Sequence, residues 1–215
     1  MPPPNGQNIT NLSGIWVIVR QGLSNNLDAI FQLGRKSWII RKAISASTAT
    51  LKITQGSDKH DDSPACAPTE WMTLEPALAG GLEGTPEKRL LTWAKFEHND
   101  NLFGRVIIRS HYVSGQRTED GRVRPLIEPF TKVVTKPDSE SILTEAVVLA
   151  PETTGAEEKM DKAFIHDFIR SVYHGWTAEQ IWAVEIVGEE PLLTRRIVVC
   201  EGSYAECARA FYRLA

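Results

Sequence analysis

The chain has 215 residues and a mass of 24.0 kDa, which fits one medium-sized domain and excludes a series of independently folding ones. Hydrophobic residues make up 42% and charged residues 24%, so the chain can bury a sizeable core and is neither a disordered tail nor a coiled coil. The formal net charge is -3. This balance argues against a nucleic-acid-binding protein, because such proteins usually carry a basic excess.

Simple signals in the sequence set its cellular and chemical class. No stretch approaches the roughly 18 consecutive apolar residues of a membrane-spanning helix. The N-terminal residues lack the basic and apolar regions of a secretory signal, so we expect a cytoplasmic protein. Cys66, Cys200 and Cys207 form no CxxC pair, the histidines have no compact ligand spacing, and no P-loop or dinucleotide fingerprint occurs. The sequence therefore predicts no disulfide framework, no metal and no cofactor.

Segments rich in β-branched and aromatic residues recur between clusters of Gly, Asn, Asp and Pro, which is typical of an all-β protein. The predicted strands span residues 14–19, 49–54, 70–74, 88–96, 102–113, 180–187, 194–200 and 207–213. A sheet of this many strands must close or fold over to hide its edges. We therefore predict an antiparallel β-barrel of about eight to ten strands.

Two segments have helical spacing. In residues 24–43, apolar side chains recur at near-helical intervals after Ser24, which can cap free backbone amides. In residues 157–174, four apolar side chains follow one another at spacings of four: Met160, Phe164, Phe168 and Val172. We predict one or two helices here that close the ends of the barrel.

The rest of the chain is organised around this barrel. Residues 115–155 combine charged runs with prolines, and they are predicted to hold an extra hairpin formed by residues 130–134 and 142–149. We expect a flexible N-terminus over residues 1–11 and a single barrel domain over residues 12–215.

The candidate interior residues are mainly aromatic. The sequence contains six tryptophans, which are Trp16, Trp38, Trp71, Trp93, Trp176 and Trp182. They could fill the core or line a cavity for a flat apolar ligand, since a barrel of this size does either. Alternation along residues 102–113 places Val106, Ile108, Ser110 and Tyr112 on the inward face. The two buried hydroxyls then need a ligand, or bonds to each other, to Arg41 or to water.

Several motifs resemble those of one protein family. The Gly14-Ile-Trp16 sequence matches the G-x-W signature of lipocalins, in which the Trp plugs one end of the barrel. The segment Leu12-Ser-Gly-Ile-Trp-Val17 and later Gly175-Trp-Thr-Ala-Glu-Gln-Ile-Trp182 resemble the fungal lipocalin-like proteins. The resemblance covers about residues 12–113 and 173–199. The chain departs from it in residues 32–37 and in the 115–155 insert.

This resemblance implies a function. Members of the family act in fungal secondary metabolism as cofactor-free pericyclases, including hetero-Diels-Alderases that join a tropolone quinone methide to a terpene. The resemblance therefore implies a pericyclase with a hydrophobic polyene, terpene or polyketide-derived substrate in its barrel. Such a reaction needs no nucleophile, only two reactants held in a near-attack geometry and a donor near a developing oxyanion.

Two hypotheses follow, a pericyclase and a lipocalin-type carrier that binds an apolar molecule without changing it. For the pericyclase we assign the hydrogen-bond donor to Tyr112 or Ser110. The predicted substrate-binding residues are Trp16, Gln32, Trp38, Trp93 and Trp182. The expected partner is a hydrophobic small molecule, with no nucleic acid and no membrane span, and the oligomeric state stays open, a homodimer being one option.

Overall fold

The computed structural model describes residues 6–20, 22–33, 48–58, 68–78, 82–131, 138–150 and 159–215. These residues form twelve strands: β1 (Gly14–Ile18), β2 (Ala49–Asp58), β3 (Thr69–Leu78), β4 (Leu82–Glu83), β5 (Glu87–Leu90), β6 (Phe96–Asp100), β7 (Gly104–Arg117), β8 (Val123–Pro125), β9 (Lys159–Ser171), β10 (Thr177–Val187), β11 (Glu190–Glu201) and β12 (Tyr204–Leu214). Two short helices accompany the described strands, α1 (Leu27–Leu33) and α2 (Asp138–Thr144). Neither has the length and apolarity to cross a membrane.

The strands form one antiparallel sheet that nearly closes on itself. Its hydrogen-bonded order is β4-β3-β2-β1-β12-β11-β10-β9-β7-β6, with β5 added on β3 and β8 on β7. Beyond β5 the chain reaches the other side of the sheet, where Thr92 bridges to His111 and the Trp93 amide donates to the Ser110 carbonyl at 2.8 Å. This closure confirms the predicted antiparallel barrel.

Local sequence explains several of these elements. The turn between β10 and β11 contains two residues, since Val187 pairs with Glu190. Its first residue, Gly188, has φ 66°, a left-handed conformation that favours glycine and suits a tight hairpin. On β7 the alternation of buried residues begins with Val106, Ile108 and Ser110, as the period-two pattern predicts.

The barrel interior has a filled end and a hollow end. The filled end is a packed cluster that includes Trp16, Leu51, Met72, Ile165 and Trp182. Trp16 is fully buried there and its Nε1 donates to the Leu12 carbonyl at 2.8 Å. The plugging role that the resemblance implies for this Trp therefore fits its position. The hollow end holds the cavity described below.

A second apolar cluster lies on the outer face of the barrel. Described residues between β7 and β9 cover this face, and Val123, Leu143 and Leu149 pack there against Phe164 and Ile181. The described part of the predicted insert is thus the cover of a second core. Ile9, from the predicted flexible N-terminus, packs instead with the filled end of the barrel.

Four predicted elements differ in the structure. The predicted helix over 157–174 is wrong, because residues 159–171 form β9 and pair with both β7 and β10. The predicted strand over 88–96 is two strands, since the chain turns at residues 91–95 to close the barrel. The predicted strand over 142–149 begins inside α2. Of the predicted helix over 24–43, residues 27–33 are helical and residues 34–43 lie outside the described residues.

Candidate functional site

The hollow end of the barrel contains a cavity of about 620 Å³. One side is closed by α1, through Leu27, Ile30 and Phe31. The walls are mainly apolar and include side chains such as Ile108 on β7 and Ile197 on β11. The size lies within the range of small-molecule sites, about 300 to 1,000 Å³. The barrel interior is therefore hollow at this end, and its closure by the first helix agrees with the prediction for Leu27–Leu33.

One polar part of the cavity wall consists of Gln180 on β10 and Arg195 on β11. Arg195 Nε and Nη2 both donate to Gln180 Oε1, at 3.1 and 2.6 Å. The Arg195 guanidinium also lies over the Trp182 ring, with its carbon 4.2 Å from the ring centroid. Both Arg195 and Gln180 line the cavity. The two hydrogen bonds to Gln180 and the Trp182 ring restrict rotation of the guanidinium, so the arrangement holds a cation in a fixed orientation at the cavity wall.

A second polar group lies where β5 faces β6. Arg89 forms ion pairs with Glu87 and Asp167, and the Trp182 Nε1 donates to Asp167 Oδ2 at 2.6 Å. Burial opposes the positive charge of Arg89, but the two carboxylates outweigh it and the pKa of this guanidinium is raised. The charge of Arg89 is therefore balanced within the protein by Glu87 and Asp167. Through Asp167, which binds Trp182, Arg89 also links the cavity wall to the filled end of the barrel.

His98 belongs to the same part of the wall. Its Nε2 lies 3.8 Å from Glu87 Oε2 and 3.9 Å from Asp100 Oδ2. Among the described residues this buried nitrogen has no hydrogen-bond partner. Asp100 Oδ1 accepts the backbone amides of Leu102 and Phe103, each at 2.7 Å, which fixes the turn after β6. Glu87 and Asp100 thus place two carboxylates on this side of the cavity, and Arg89 pairs with the first of them.

The structure separates the predicted donors from the cavity. Ser110 and Tyr112 are on the inward face of β7, but neither is among the described residues that line the cavity. Tyr112 packs against the filled end, where its hydroxyl accepts a bond from Gln55 Nε2 at 3.3 Å. Burial and then the charge of Glu70 raise the pKa of this phenol. Ser110 pairs across the strands with Asp167.

Ser110 and Asp167 share an unusual feature. Ser110 Oγ and Asp167 Oδ1 are both buried, and neither has a hydrogen-bond partner among the described residues. A hydroxyl beside a carboxylate oxygen is a complementary pair, since one donates and the other accepts. We expect rotation of Ser110 or an ordered water to join them. This outcome would match the alternative in which the buried hydroxyls serve the protein itself.

The predicted substrate-binding residues lie in different parts of the structure. Trp16 and Trp182 are in the filled end, and Trp182 supports Arg195 from behind. Gln32 is exposed on α1, the helix that closes the cavity. Trp93 lies on the outer face of the sheet. Trp38 and Arg41 lie outside the described residues. Of the tryptophans in the described ranges, Trp176 lines the cavity.

Trp93 lies against a row of hydrogen-bonded polar side chains on the outer face of the sheet. His111 Nε2 lies 3.3 Å from His166 Nδ1, and His166 Nε2 lies 2.8 Å from Glu179 Oε1. Glu179 also accepts the backbone amides of Phe130 and Thr131, at 3.1 and 2.8 Å. The Trp93 ring covers His111, with 4.3 Å between the ring centroids. These contacts therefore fasten two parts of the protein to the sheet: the barrel closure at Trp93 and the segment that contains Phe130 and Thr131.

The polar residues of the cavity were not predicted from sequence. A usable signal existed for Arg195, because the inward face of β11 otherwise carries apolar residues such as Ile197 and Val199. A charged residue on such a face is rare unless it is paired or functional. Arg89 and His98 gave no comparable signal, because their strands are short and meet only through closure of the barrel.

This chain was compared with protein-family models, with curated proteins and with solved structures. No family model and no curated protein matches this chain. Among solved structures it is similar to one described as a mutant of the REP1-NXSQ fatty acid transporter. The similarity has 11% sequence identity, covers 95% of this chain and 98% of that chain, and has a TM-score of 0.47.

Proposed function

We propose that this protein binds a hydrophobic small molecule in the barrel cavity and directs a cofactor-free cycloaddition of that molecule. The observation that carries the proposal is the apolar cavity of about 620 Å³, which has its polar groups confined to part of the wall. A cavity of this kind can hold two apolar reacting groups in one geometry. Fixing reactants in this way lowers a barrier by as much as about 7 to 11 kcal/mol in favourable cases.

The donor in this proposal is Arg195. It lines the cavity and is held by Gln180 and Trp182. A fixed cation beside a carbonyl or quinone-methide oxygen stabilises negative charge that develops there during bond formation. The family resemblance of the sequence supports the class of reaction. Tyr112 and Ser110 remain candidates only for a substrate that reaches the filled end of the barrel.

A carrier is the second candidate function. It is favoured by the positions of the predicted hydrogen-bond donors, since neither Ser110 nor Tyr112 is among the described residues that line the cavity. A carrier needs no such donor in its cavity. A carrier would bind the same apolar molecules and release them unchanged.

Two variants test whether the cavity is the binding site. Ala178→Phe places a ring in the cavity, while Thr177→Phe adds the same ring to the next residue of β10, outside the cavity-lining set. After circular dichroism confirms folding, competition with a fluorescent apolar probe measures binding of a sesquiterpene. We expect Ala178→Phe to abolish binding and Thr177→Phe to retain it. Equal binding by both variants would reject the cavity as the site.

The reaction is tested with the reactants that the resemblance implies. A tropolone quinone methide formed in solution is mixed with a sesquiterpene, with and without the protein, and the stereoisomeric cycloadducts are separated by chiral chromatography. We expect the protein to enrich one isomer and to raise its rate of formation. If the terpene binds but the isomer ratio and rate equal those in buffer, the carrier function is the correct one.

A further inference from the structure

We propose that the cavity selects ligands that carry an anionic acid group, a carboxylate or an enolate, and that Arg195 with Gln180 binds this group. The inference rests on the proposed binding function and adds the chemical class of the ligand.

Arg195 differs from three other arginines of the barrel, because no described residue supplies it with a counter-charge. Arg89 pairs with Glu87 and Asp167, while on β12 Arg209 pairs with Glu145 and Arg213 with Glu190. Among the described residues, no carboxylate lies within ion-pair distance of Arg195, whose hydrogen bonds go to a neutral amide. A guanidinium stays charged in proteins, and a partly buried charge without a partner is unfavourable. An anion supplied by the ligand would remove this penalty.

The unused atoms at this position are donors. Gln180 Oε1 accepts from Arg195 Nε and Nη2, which leaves Arg195 Nη1 and Gln180 Nε2 without a hydrogen bond to any described residue. Both side chains line the cavity. Two donors without an acceptor fit the two oxygens of a carboxylate or the single oxygen of an enolate.

The charges elsewhere in the cavity favour one orientation of the ligand. The other arginine that lines the cavity, Arg89, already pairs with Glu87 and Asp167, so the acid group of the ligand belongs at Arg195. From there the inward residues of β11 are apolar, first Ile197 and then Val199, toward the end closed by α1. Four residues of extended strand span about 13 Å. The apolar body of the ligand would lie along this length.

The test compares two probes that differ only in the acid group, 11-(dansylamino)undecanoic acid and its methyl ester. Fluorescence titration measures the Kd of each for the wild-type protein, for Arg195→Gln and for the control Arg213→Gln, which removes an exposed arginine of β12. We expect the wild type and the control to bind the acid at least about 10-fold more tightly than the ester, the scale of one charge-assisted hydrogen bond. Arg195→Gln should bind both probes equally, and Arg195→Lys should restore part of the preference.

The outcomes separate this inference from the proposed function. Equal binding of acid and ester by the wild type overturns the inference without use of any variant, so misfolding of Arg195→Gln cannot obscure the result. In that case the cavity still binds apolar molecules and the proposed function stands. A preference for the acid that survives in a folded Arg195→Gln protein also overturns the inference. Absence of binding by both probes contradicts the inference and the proposed function together.

Discussion

The Arg195 guanidinium and the Trp182 indole are stacked, with 4.2 Å between the guanidinium carbon and the ring centroid. Trp182 is fully buried in the filled end of the barrel, whereas Arg195 lines the cavity. The pair therefore forms the boundary between the two halves of the interior. A rigid aromatic ring with a donor bound to Asp167 gives the cation a fixed platform. The tryptophan that sequence suggested as a cavity wall acts one layer behind that wall.

Trp182→Phe tests this platform. The change removes the Nε1 bond to the buried Asp167 and part of the stacking, so we expect the free energy of unfolding to fall by about 1.5 to 3 kcal/mol. Trp71→Phe is the matched control, because Trp71 also donates to an aspartate, Asp58, and also lies under a cation, Lys88, but near solvent. There the loss should stay below about 1 kcal/mol. Urea denaturation measures both, and equal losses would contradict the assigned role of Trp182.

Tyr112→Phe tests the position of the donor. The Tyr112 hydroxyl bonds to Gln55 and lies outside the described cavity lining, so we expect its loss to change kcat by less than about twofold. Arg195→Gln should lower kcat about 10²-fold or more, the scale of one oxyanion donor, if the protein is an enzyme. Turnover and product ratio are compared after folding is confirmed. A 10²-fold loss in Tyr112→Phe would instead return the donor role to Tyr112.

Much of the fold could be predicted from the sequence because strand patterns are local. The alternation in β7 has a local cause and is confirmed, and the turn at Gly188 likewise has a local cause. The predicted helix over residues 157–174 failed because a spacing of four residues fits one helix face and also one strand face, four being a multiple of two. Phe164 and Phe168 therefore satisfied both patterns. The deciding property, hydrogen bonding of β9 to β7 and β10, is long-range and leaves no local signature.

The candidate site was less predictable for the same reason. Val106 and Ile108 were placed inward by alternation, and both line the cavity. The hydroxyl residues that continue the same face, Ser110 and Tyr112, lie further along β7, where the barrel is filled. Alternation gives the side of a strand that a residue faces. It does not give the depth at which side chains from other strands leave space.

Gly115→Ala tests the packing of the covering segment on the barrel. A Cβ at this position would lie 2.5 Å from Val123 Cγ1 and 2.9 Å from the Ala163 Cβ, so β8 or β9 must shift. We expect a loss of about 1 to 3 kcal/mol in unfolding free energy, the usual cost of overpacking a core. The neighbouring Ser114→Ala, at a residue that bonds to the exposed Asp161, should stay within about 0.5 kcal/mol. Equal stability of Gly115→Ala and the wild type would show that the cover does not pack as described.

The last prediction concerns His111 and pH. Burial, and then the neighbouring His166, lower the pKa of His111, while Asp167 acts in the opposite direction. The unfolded chain, with an ordinary histidine pKa of about 6.5, therefore binds a proton at a higher pH than the folded protein does. Between the two pKa values the unfolded state holds more protons, so the free energy of unfolding rises with pH. Acidification through this window should destabilise the protein.

His111→Gln removes this contribution. We expect the slope of unfolding free energy against pH, measured by urea denaturation between about pH 5.5 and 7.5, to be smaller in His111→Gln than in the wild type. His174→Gln, which removes an exposed histidine at the turn after β9, is the control and should keep the wild-type slope. Trp93→Leu should also reduce the slope, because the ring of Trp93 covers His111 and its removal lets water reach the imidazole. If His111→Gln retains the full slope, another group accounts for the acid sensitivity and the desolvation of His111 does not contribute to it.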